Sequence, residues 1–312
     1  MKVCIVGYGR IGRAVEQECI RSADIELCGI VSRRAQSGAY SKSAPVISVR
    51  DAQDLYRSCD VALICLGSSV GLTEAVTGVA KHTNTIDVYD DHGRVREHRA
   101  AVNGVARAYE HTSAVCTGWD PGLLSVIRAY CGCLVGDNVT TYWGEGISRG
   151  HTEALKRIDG VINAVELTVP DENAMRLTAL GAFVAGNIRH NRLCYIHIAD
   201  EKKKDCIKNA ILDIDGYFKG QNVTVSFVDE ARISALESDE SHRGRVVISG
   251  QGGDSVFFDL NVCSNSETTA RIALAYARAA VKMNRAGIYG AFSPAEIAPS
   301  FLFEDDEYLS LL

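Results

Sequence analysis

Glycines, arginines and carboxylates stand at the ends of buried strands throughout the first 120 residues. Lys2-Val3-Cys4-Ile5-Val6 reads as a buried strand, and Gly7-Tyr8-Gly9-Arg10-Ile11-Gly12 follows at once. A helix-period pattern at Ala14, Val15, Cys19 and Ile20 comes next. Strand, glycine turn and helix in this order hold a dinucleotide pyrophosphate. The first glycine permits the tight turn, the second lets the backbone approach the phosphates, and the third lets helix and strand pack closely. Amides at the helix N-terminus then face the anion. Residues 7–12 are therefore candidate cofactor contacts.

The second strand, residues 25–31, ends in Ser32-Arg33-Arg34. A unit that prefers NAD usually carries Asp or Glu here for the ribose 2′-hydroxyl. A carboxylate would repel a 2′-phosphate, whereas a hydroxyl and two guanidiniums would grip it. Each charge-assisted hydrogen bond contributes roughly 1.5–3 kcal/mol, so one good contact separates NADP from NAD by about tenfold or more. NADP is the expected cofactor, in preference to a solvated arginine pair on a surface loop.

Further strand ends carry the remaining candidates. Residues 61–66 form a buried strand ending in Gly67-Ser68-Ser69, a turn placed against cofactor phosphate or ribose. Asp87-Val88-Tyr89-Asp90-Asp91-His92 and Gly118-Trp119-Asp120-Pro121-Gly122 end two later strands, where parallel sheets bind ligands. Asp87 and Tyr89 are assigned to the cofactor, Asp90 and Asp120 to catalysis. Two acids suit a cationic substrate, because they bind an ammonium and assist its deprotonation. A single Asp in such a turn is more often a helix cap; the pairing, with Trp119 alongside, favours the functional role.

These segments need an α/β scaffold, a Rossmann-type parallel sheet. Beyond residue 120 longer alternating strands (140–143, 164–169, 192–198, 223–228, 246–249 and 256–262) follow with few helices between them. They predict a second α+β domain built on an antiparallel or mixed sheet. A helix from about 267 to 286 places Ala270, Ala273, Leu274, Ala277, Ala280 and Val281 on one side and is expected to return to the first domain. The expected division is 1–120 plus about 267–312 for the dinucleotide, and 121–266 for substrate and dimer contacts.

Composition narrows the function. The 312 residues, 46% hydrophobic and 23% charged, suit two globular domains. A net charge of −6 gives no general basic field for nucleic acid. Lys202-Lys203-Lys204, among Asp200, Glu201 and Asp205, reads as the solvated face of a helix buried through Ile207, Ile211 and Leu212. The eleven cysteines are scattered, as in a reducing compartment. Cys131-Gly132-Cys133 lacks a partner pair at zinc-site spacing, so no metal is expected. No leader precedes the first strand and no 18-residue apolar span occurs, which predicts a cytoplasmic protein without membrane contact.

The motifs GYGRIG, SRR, CLGSS, DVYDDH, TGWDPG, YWGEG and SRGH, in this order, resemble those of the meso-diaminopimelate dehydrogenases. The resemblance runs nearly the full length, to Gly290-Ala291-Phe292-Ser293 and Glu296-Ile297-Ala298-Pro299. It implies NADP-dependent, reversible oxidative deamination at the D-centre of meso-2,6-diaminopimelate, giving L-2-amino-6-oxopimelate, ammonia and NADPH. It also implies a cytoplasmic homodimer serving lysine and cell-wall precursor synthesis. Carried over by motif, Asp90 and Asp120 contact substrate amino groups, and Trp119 and Trp143 line the pocket. Thr168 is a hydroxyl that holds the substrate and Arg192 binds the carboxylate of the far, L-configured end, with His242 and Asn265 as further polar anchors of that end. An arginine fork is the natural clamp for a carboxylate. Arg149 and Gly150 fall in the SRGH substrate segment. Arg149 stands where the family carries Gln or Met, an added cation expected to alter substrate range or the balance of amination and deamination. Residues 176–191 are shorter and more apolar than the family pattern.

Two rival functions fit parts of the pattern. Another NADP-linked enzyme, acting on a substrate such as 2,4-diaminopentanoate, would leave some of Thr168, Arg192, His242 and Asn265 unused. A non-catalytic NADP-binding sensor would need no ammonium pocket, and Asp90, Asp120 and Trp119 argue against it.

Overall fold

The computed structural model of the chain describes residues 1–35, 41–67, 71–136, 138–239, 241–303 and 307–311, leaving out the side chains of Arg149 and Tyr308. It divides into a first unit, Met1–Val126 with Ser266–Leu312, and a second, Ile127–Asn265.

The first unit opens with β1 (Lys2–Val6), α1 (Arg10–Arg21), β2 (Glu26–Val31), β3 (Val46–Ile47), α2 (Gln53–Ser58) and β4 (Val61–Ile64). It continues through α3 (Leu72–Val79), β5 (Asn84–Asp87), α4 (Val95–Ala108), β6 (Thr112–Ala114) and the start of α5 (Leu123–Leu134). Strands β1 and β4 are almost wholly apolar and buried, as a sheet covered on both faces requires.

The second unit contains β7 (Asn138–Trp143), β8 (Gly146–Ile147), α6 (Arg149–Lys156), β9 (Val161–Pro170), α7 (Glu172–Ala179) and β10 (His190–Ile198). Then come α8 (Lys204–Leu212), β11 (Asn222–Phe227), α9 (Glu230–Glu237), β12 (His242–Ser249) and β13 (Ser255–Val262). The single sheet with few helices expected here is in fact two sheets, ordered β11-β10-β9-β8 and β13-β12-β7, with α6 to α9 between strands. Strands β10 and β11 run parallel; every other pair in this unit is antiparallel. Helices α6, α7 and α9 span only eight residues each, too few for a periodic pattern to stand out. Asp171 and Asp229 cap two of them by accepting from the amides of Ala174 and Arg232. The lysine run straddles the start of a helix, with Lys204 its first residue; Ile207 and Ile211 of α8 are buried, whereas Leu212, expected with them, is 39% exposed.

The chain then returns through α10 (Asn265–Arg285) and β14 (Gly290–Phe292). All six residues expected on the apolar side of α10 are buried, packed with Val3, Ile5 and Ile30 against one face of the first sheet. The sheet is wholly parallel, ordered β14-β6-β5-β4-β1-β2-β3. The order reverses beside β1, and such switch points open a crevice at the strand C-termini. Among the described residues no helix is long and apolar enough to cross a membrane, and no cluster of His, Cys, Asp or Glu could hold a metal.

Candidate active site

A cavity of about 950 Å³ opens at the strand ends of the first unit, lined in part by Gly7, Tyr8, Gly9, Ser32, Arg33, Arg34 and Gly67. Gly7 lies at φ +98°, and a Cβ there would stand 2.8 Å from the Cys65 carbonyl oxygen. A Cβ on Gly12 would reach 2.1 Å from the Gly7 carbonyl oxygen, so α1 packs on its own turn only through glycine. Above Gly9, by contrast, no atom of the described residues beyond its chain neighbours lies within 4 Å of that position. Gly9 begins α1 without a side-chain cap, and the first turn has no acid. Open space above Gly9 and a first turn without an acid fit a pyrophosphate. Ser32 accepts from the Arg34 amide at 3.1 Å, which folds the turn that presents Arg33 and Arg34. Tyr8 is pinned from two sides: its hydroxyl donates to the buried Glu16, and the Arg13 guanidinium lies 4.7 Å above its ring. Burial works to raise Glu16, but donation from Ser41, Ser43 and Tyr8 carries it below the usual carboxylate range. Arg10, Ile11 and Gly12 do not line this cavity. Ser68 and Ser69 lie outside the described residues.

Asp87 differs from the role expected of it. It does not line the cavity and is 1% exposed. Its Oδ1 accepts from the amides of Tyr89 and Cys116 at 3.1 and 2.9 Å, and its Oδ2 meets His98 Nε2 at 2.9 Å. His98 Nδ1 meets Thr73 Oγ1 at 2.9 Å, and the Tyr89 ring stacks on His98 with centroids 4.1 Å apart. The carboxylate and Tyr89 are thus spent inside the protein, tying the loop after β5 to the strand end after β6. Asp90 is exposed on the first of these loops. Trp119 and Asp120, both half-buried, stand on the second. That second loop closes on two glycines: Gly122 has φ +139°, and a Cβ there would fall 1.8 Å from the Gly118 carbonyl oxygen. Sequence alone did not single out His98, which occupies a buried place on an otherwise amphipathic helix.

In the second unit the β9–β10 register sets Thr168 opposite Arg192 and Glu166 opposite Cys194. Arg192 Nη1 donates to Thr168 Oγ1 at 2.6 Å, and Nε donates to Gln221 Oε1 at 2.9 Å. The Thr168 hydroxyl lies 3.1 Å from both oxygens of Glu166, which is 0% exposed and 3.6 Å from Arg192 Nη1. Gly144 makes this crowding possible. It has φ +112°, and a Cβ would stand 2.0 Å from the Thr168 carbonyl oxygen. Next to it Trp143 is 41% exposed rather than part of the core, with its amide donating to His190 Nε2 at 3.0 Å and its ring stacked on His190. His242, at the start of β12, lies 3.1 Å from where a Gly146 Cβ would be, and Gly146 pairs with Thr168. Thr168, Arg192 and His242 are therefore neighbours. Gly150 sits in the first turn of α6, and Asn265 begins α10; the Arg149 side chain lies outside what is described.

Burial dominates the electrostatics of this cluster. It raises Glu166 to about 7, against the pull of Arg192 and the Thr168 hydrogen bond. It lowers His151 and His190 to about 4 each, with Arg192 adding to the effect. Buried His151 Nε2 has no partner among the described residues. Glu166 drew no attention in the sequence, although its i, i+2 spacing from Thr168 in a strand put both on one face.

A family model described as the diaminopimelic acid dehydrogenase C-terminal domain matches residues 118–262. The meso-diaminopimelate D-dehydrogenase of Corynebacterium glutamicum is 36% identical over 97% of this chain and 95% of its own. That of Lysinibacillus sphaericus is 34% identical over 93% of this chain and 92% of its own. The structure of the C. glutamicum dehydrogenase in complex with DAP superposes with a TM-score of 0.87 and 34% identity, covering 100% of this chain and 98% of that one. An engineered D-amino acid dehydrogenase bound to NADP⁺ superposes with a TM-score of 0.81 and 33% identity, covering 99% and 98%.

Proposed function

The chain belongs to the meso-diaminopimelate dehydrogenase family, and from that premise we propose the reaction, cofactor and residue roles that follow. The enzyme is an oxidoreductase acting on CH–NH2. It deaminates the D-centre of meso-2,6-diaminopimelate to L-2-amino-6-oxopimelate with release of ammonia, a reversible step toward lysine and cell-wall precursors. The observation that carries this reading is the Arg192–Thr168 pair, a guanidinium and a hydroxyl converging 2.6 Å apart where the family motif puts its carboxylate anchor. Neither rival, a diaminopentanoate enzyme nor a sensor, has comparable support.

The enzyme uses a nicotinamide cofactor, and Ser32, Arg33 and Arg34 on the cavity wall support NADP. The glycine turn at 7–12 would hold its pyrophosphate, with Gly67 nearby and Ser68 and Ser69 carried by the motif alone. When bound, the cofactor supplies the hydride acceptor. The protein's own work is to orient and deprotonate. Asp90 and Asp120 receive the D-centre ammonium, and one of them, or a water it holds, accepts the proton that must leave before the C–H bond can break. Trp119 and Trp143 are further substrate contacts, each carried by its family motif. Arg192 and Thr168 bind the carboxylate of the far L-centre, with His242, Asn265, Gly150 and Arg149 as further contacts. Anchoring the L-end presents only the D-end for oxidation and so supplies the stereochemistry. Asp87 and Tyr89 act through the loops they hold.

We assign the cofactor to the first unit and substrate anchoring and self-association to the second. A homodimer is supported by the apolar side chains that the second unit leaves exposed, among them Leu180 at 76% and Phe183 at 86%. A cytoplasmic location accords with eleven cysteines that form no disulfide, and the net charge of −6 gives no general basic field for nucleic acid. Absorbance of NADPH in alkaline buffer, with meso-, LL- and DD-diaminopimelate supplied separately, tests the whole assignment. Activity with the meso isomer alone and with NADP⁺ in preference to NAD⁺ is expected. A folded protein that binds NADPH but oxidises none of the isomers would refute it.

A further inference from the structure

We infer that Glu166 is the proton switch of the carboxylate clamp: protonated, it frees the Thr168 hydroxyl to donate to substrate, and ionised, it holds that hydroxyl and neutralises Arg192. The inference rests on the reading of Thr168 and Arg192 as substrate anchors.

A threonine hydroxyl has one hydrogen to give. Thr168 Oγ1 already accepts from Arg192 Nη1 at 2.6 Å and stands 3.1 Å from each Glu166 oxygen. While Glu166 is ionised, that hydrogen belongs to Glu166 and none remains for an incoming carboxylate. Once Glu166 carries a proton, it donates to Thr168 Oγ1 and the hydroxyl hydrogen turns outward. Charge points the same way. Arg192 and ionised Glu166 sum to zero at 3.6 Å, in a place where Glu166 is 0% exposed. The substrate carboxylate, which carries its own ammonium on the same carbon, seats on Arg192 only in competition with ionised Glu166, and a buried site relieves that competition by taking up a proton. Substrate binding and protonation of Glu166 are therefore linked.

The groups packed around Glu166 leave this proton to it; His242, which neighbours Thr168 across Gly146, and Arg149 are the other ionisable groups of the clamp, and comparison of wild type with Glu166→Gln separates any proton they bind from that of Glu166. On β10, Cys194 is raised by burial and stays a thiol. On α6 and β10, His151 and His190 are lowered to about 4, so both are neutral where Glu166 titrates. Lys156 of α6 and Glu230 and Glu237 of α9 are engaged elsewhere: Lys156 pairs with Glu237, and Glu230 with His197. Strand β8 has no ionisable side chain, and Tyr142 of β7 bonds to Thr178. With Glu166 free to titrate near 7 before substrate arrives, affinity should fall as pH rises above that value, by up to about tenfold per unit for one linked proton.

The test titrates meso-diaminopimelate into the NADPH-bound enzyme, a combination that cannot turn over, by calorimetry at about pH 8 in buffers of different ionisation enthalpy. Wild type should take up close to one proton more than Glu166→Gln, whose amide mimics the protonated acid and should keep its affinity as pH rises. Equal proton counts with parallel pH profiles would overturn the switch. Infrared difference spectroscopy of the wild type needs no variant: a protonated-carboxyl band should grow as substrate binds, and its absence would also overturn it. Arg192→Ala separates the two layers. If it binds substrate as wild type does, the anchor itself is misplaced. If it binds weakly while Glu166→Gln titrates like wild type, only the switch fails.

Discussion

Arg192 and Thr168 face each other across the β9–β10 register, and the guanidinium donates to the hydroxyl at 2.6 Å. The same guanidinium is fixed by Gln221 through Nε, so its plane is set before any ligand arrives. A fork held at Nε and Nη1 keeps its remaining donors in one direction, which lowers the ordering cost of binding a carboxylate.

Arg192→Ala is expected to raise KM for meso-diaminopimelate by ten- to a hundredfold, as loss of a charge-assisted contact of about 1.5–3 kcal/mol requires. Discrimination among stereoisomers should weaken with it, because the L-end no longer fixes which centre is oxidised. Steady-state kinetics with the three isomers checks both effects, and unchanged values with the meso isomer would remove Arg192 from the site.

Arg33→Ala and Arg34→Ala should each weaken NADP binding by about tenfold or more and leave NAD almost untouched. Both residues line the nucleotide cavity beside Ser32. Fluorescence titration with both cofactors decides the matter. Equal losses for NADP and NAD would mean that the arginines support the loop rather than read the 2′-phosphate.

His98→Ala strips Asp87 Oδ2 of its partner where the carboxylate is buried. An unsatisfied buried group costs about 1–3 kcal/mol, so the melting temperature should fall by several degrees. Turnover should fall too, since Asp87 Oδ1 holds the amides that place the Asp90 and Asp120 loops. A variant with wild-type melting and kcat would show that this network positions nothing.

Gly144→Ala and Gly181→Ala form a matched pair, both at positive φ. At Gly144 a Cβ collides with the Thr168 carbonyl oxygen at 2.0 Å; at Gly181 none of the described residues comes within 4 Å beyond the chain neighbours. Backbone strain alone costs about 1–3 kcal/mol, so Gly181→Ala should be mild. Gly144→Ala should be clearly worse in thermal melting and should displace Trp143. Equal destabilisation would remove the packing argument for that glycine.

Local chemistry made some of this legible in the sequence and hid the rest. The glycine turn and Ser32-Arg33-Arg34 could be read because phosphate binding uses consecutive backbone and side-chain groups. Asp87 and Asp90 carry the same signal, an acid at a strand end, yet Asp87 turns inward to His98 and Asp90 outward; only packing separates them. Glu166 was hidden in an apolar strand, where its partner Arg192 lies 26 residues away, on β10. Strand β14, three residues beginning with glycine, is too short to show a period. That the second unit holds two sheets depends on pairing between distant segments, such as β7 with β12, which no local pattern encodes.

Acid should destabilise the second unit through its buried histidines, with Glu166 acting against them. An unfolded histidine titrates near 6.5, while burial holds His190 and His151 at about 4 in the folded chain. Above about 6.5 both states are neutral and stability is full. As pH falls toward about 4 the unfolded chain gains protons that the folded chain refuses, and stability drops by roughly 2–3 kcal/mol for the well-buried His190. Glu166 has the opposite sign. Its folded value near 7 exceeds the usual 4.5, so it stabilises below 4.5 and loses that contribution as pH rises to 7. Between about 4.5 and 6.5 two histidines oppose one carboxyl, and the net slope still favours higher pH. Denaturant midpoints measured across this range should therefore show the steepest acid loss in Glu166→Gln, an intermediate one in wild type and the shallowest in His190→Gln. A His190→Gln slope equal to that of wild type would mean that His190 accepts its proton in the folded state.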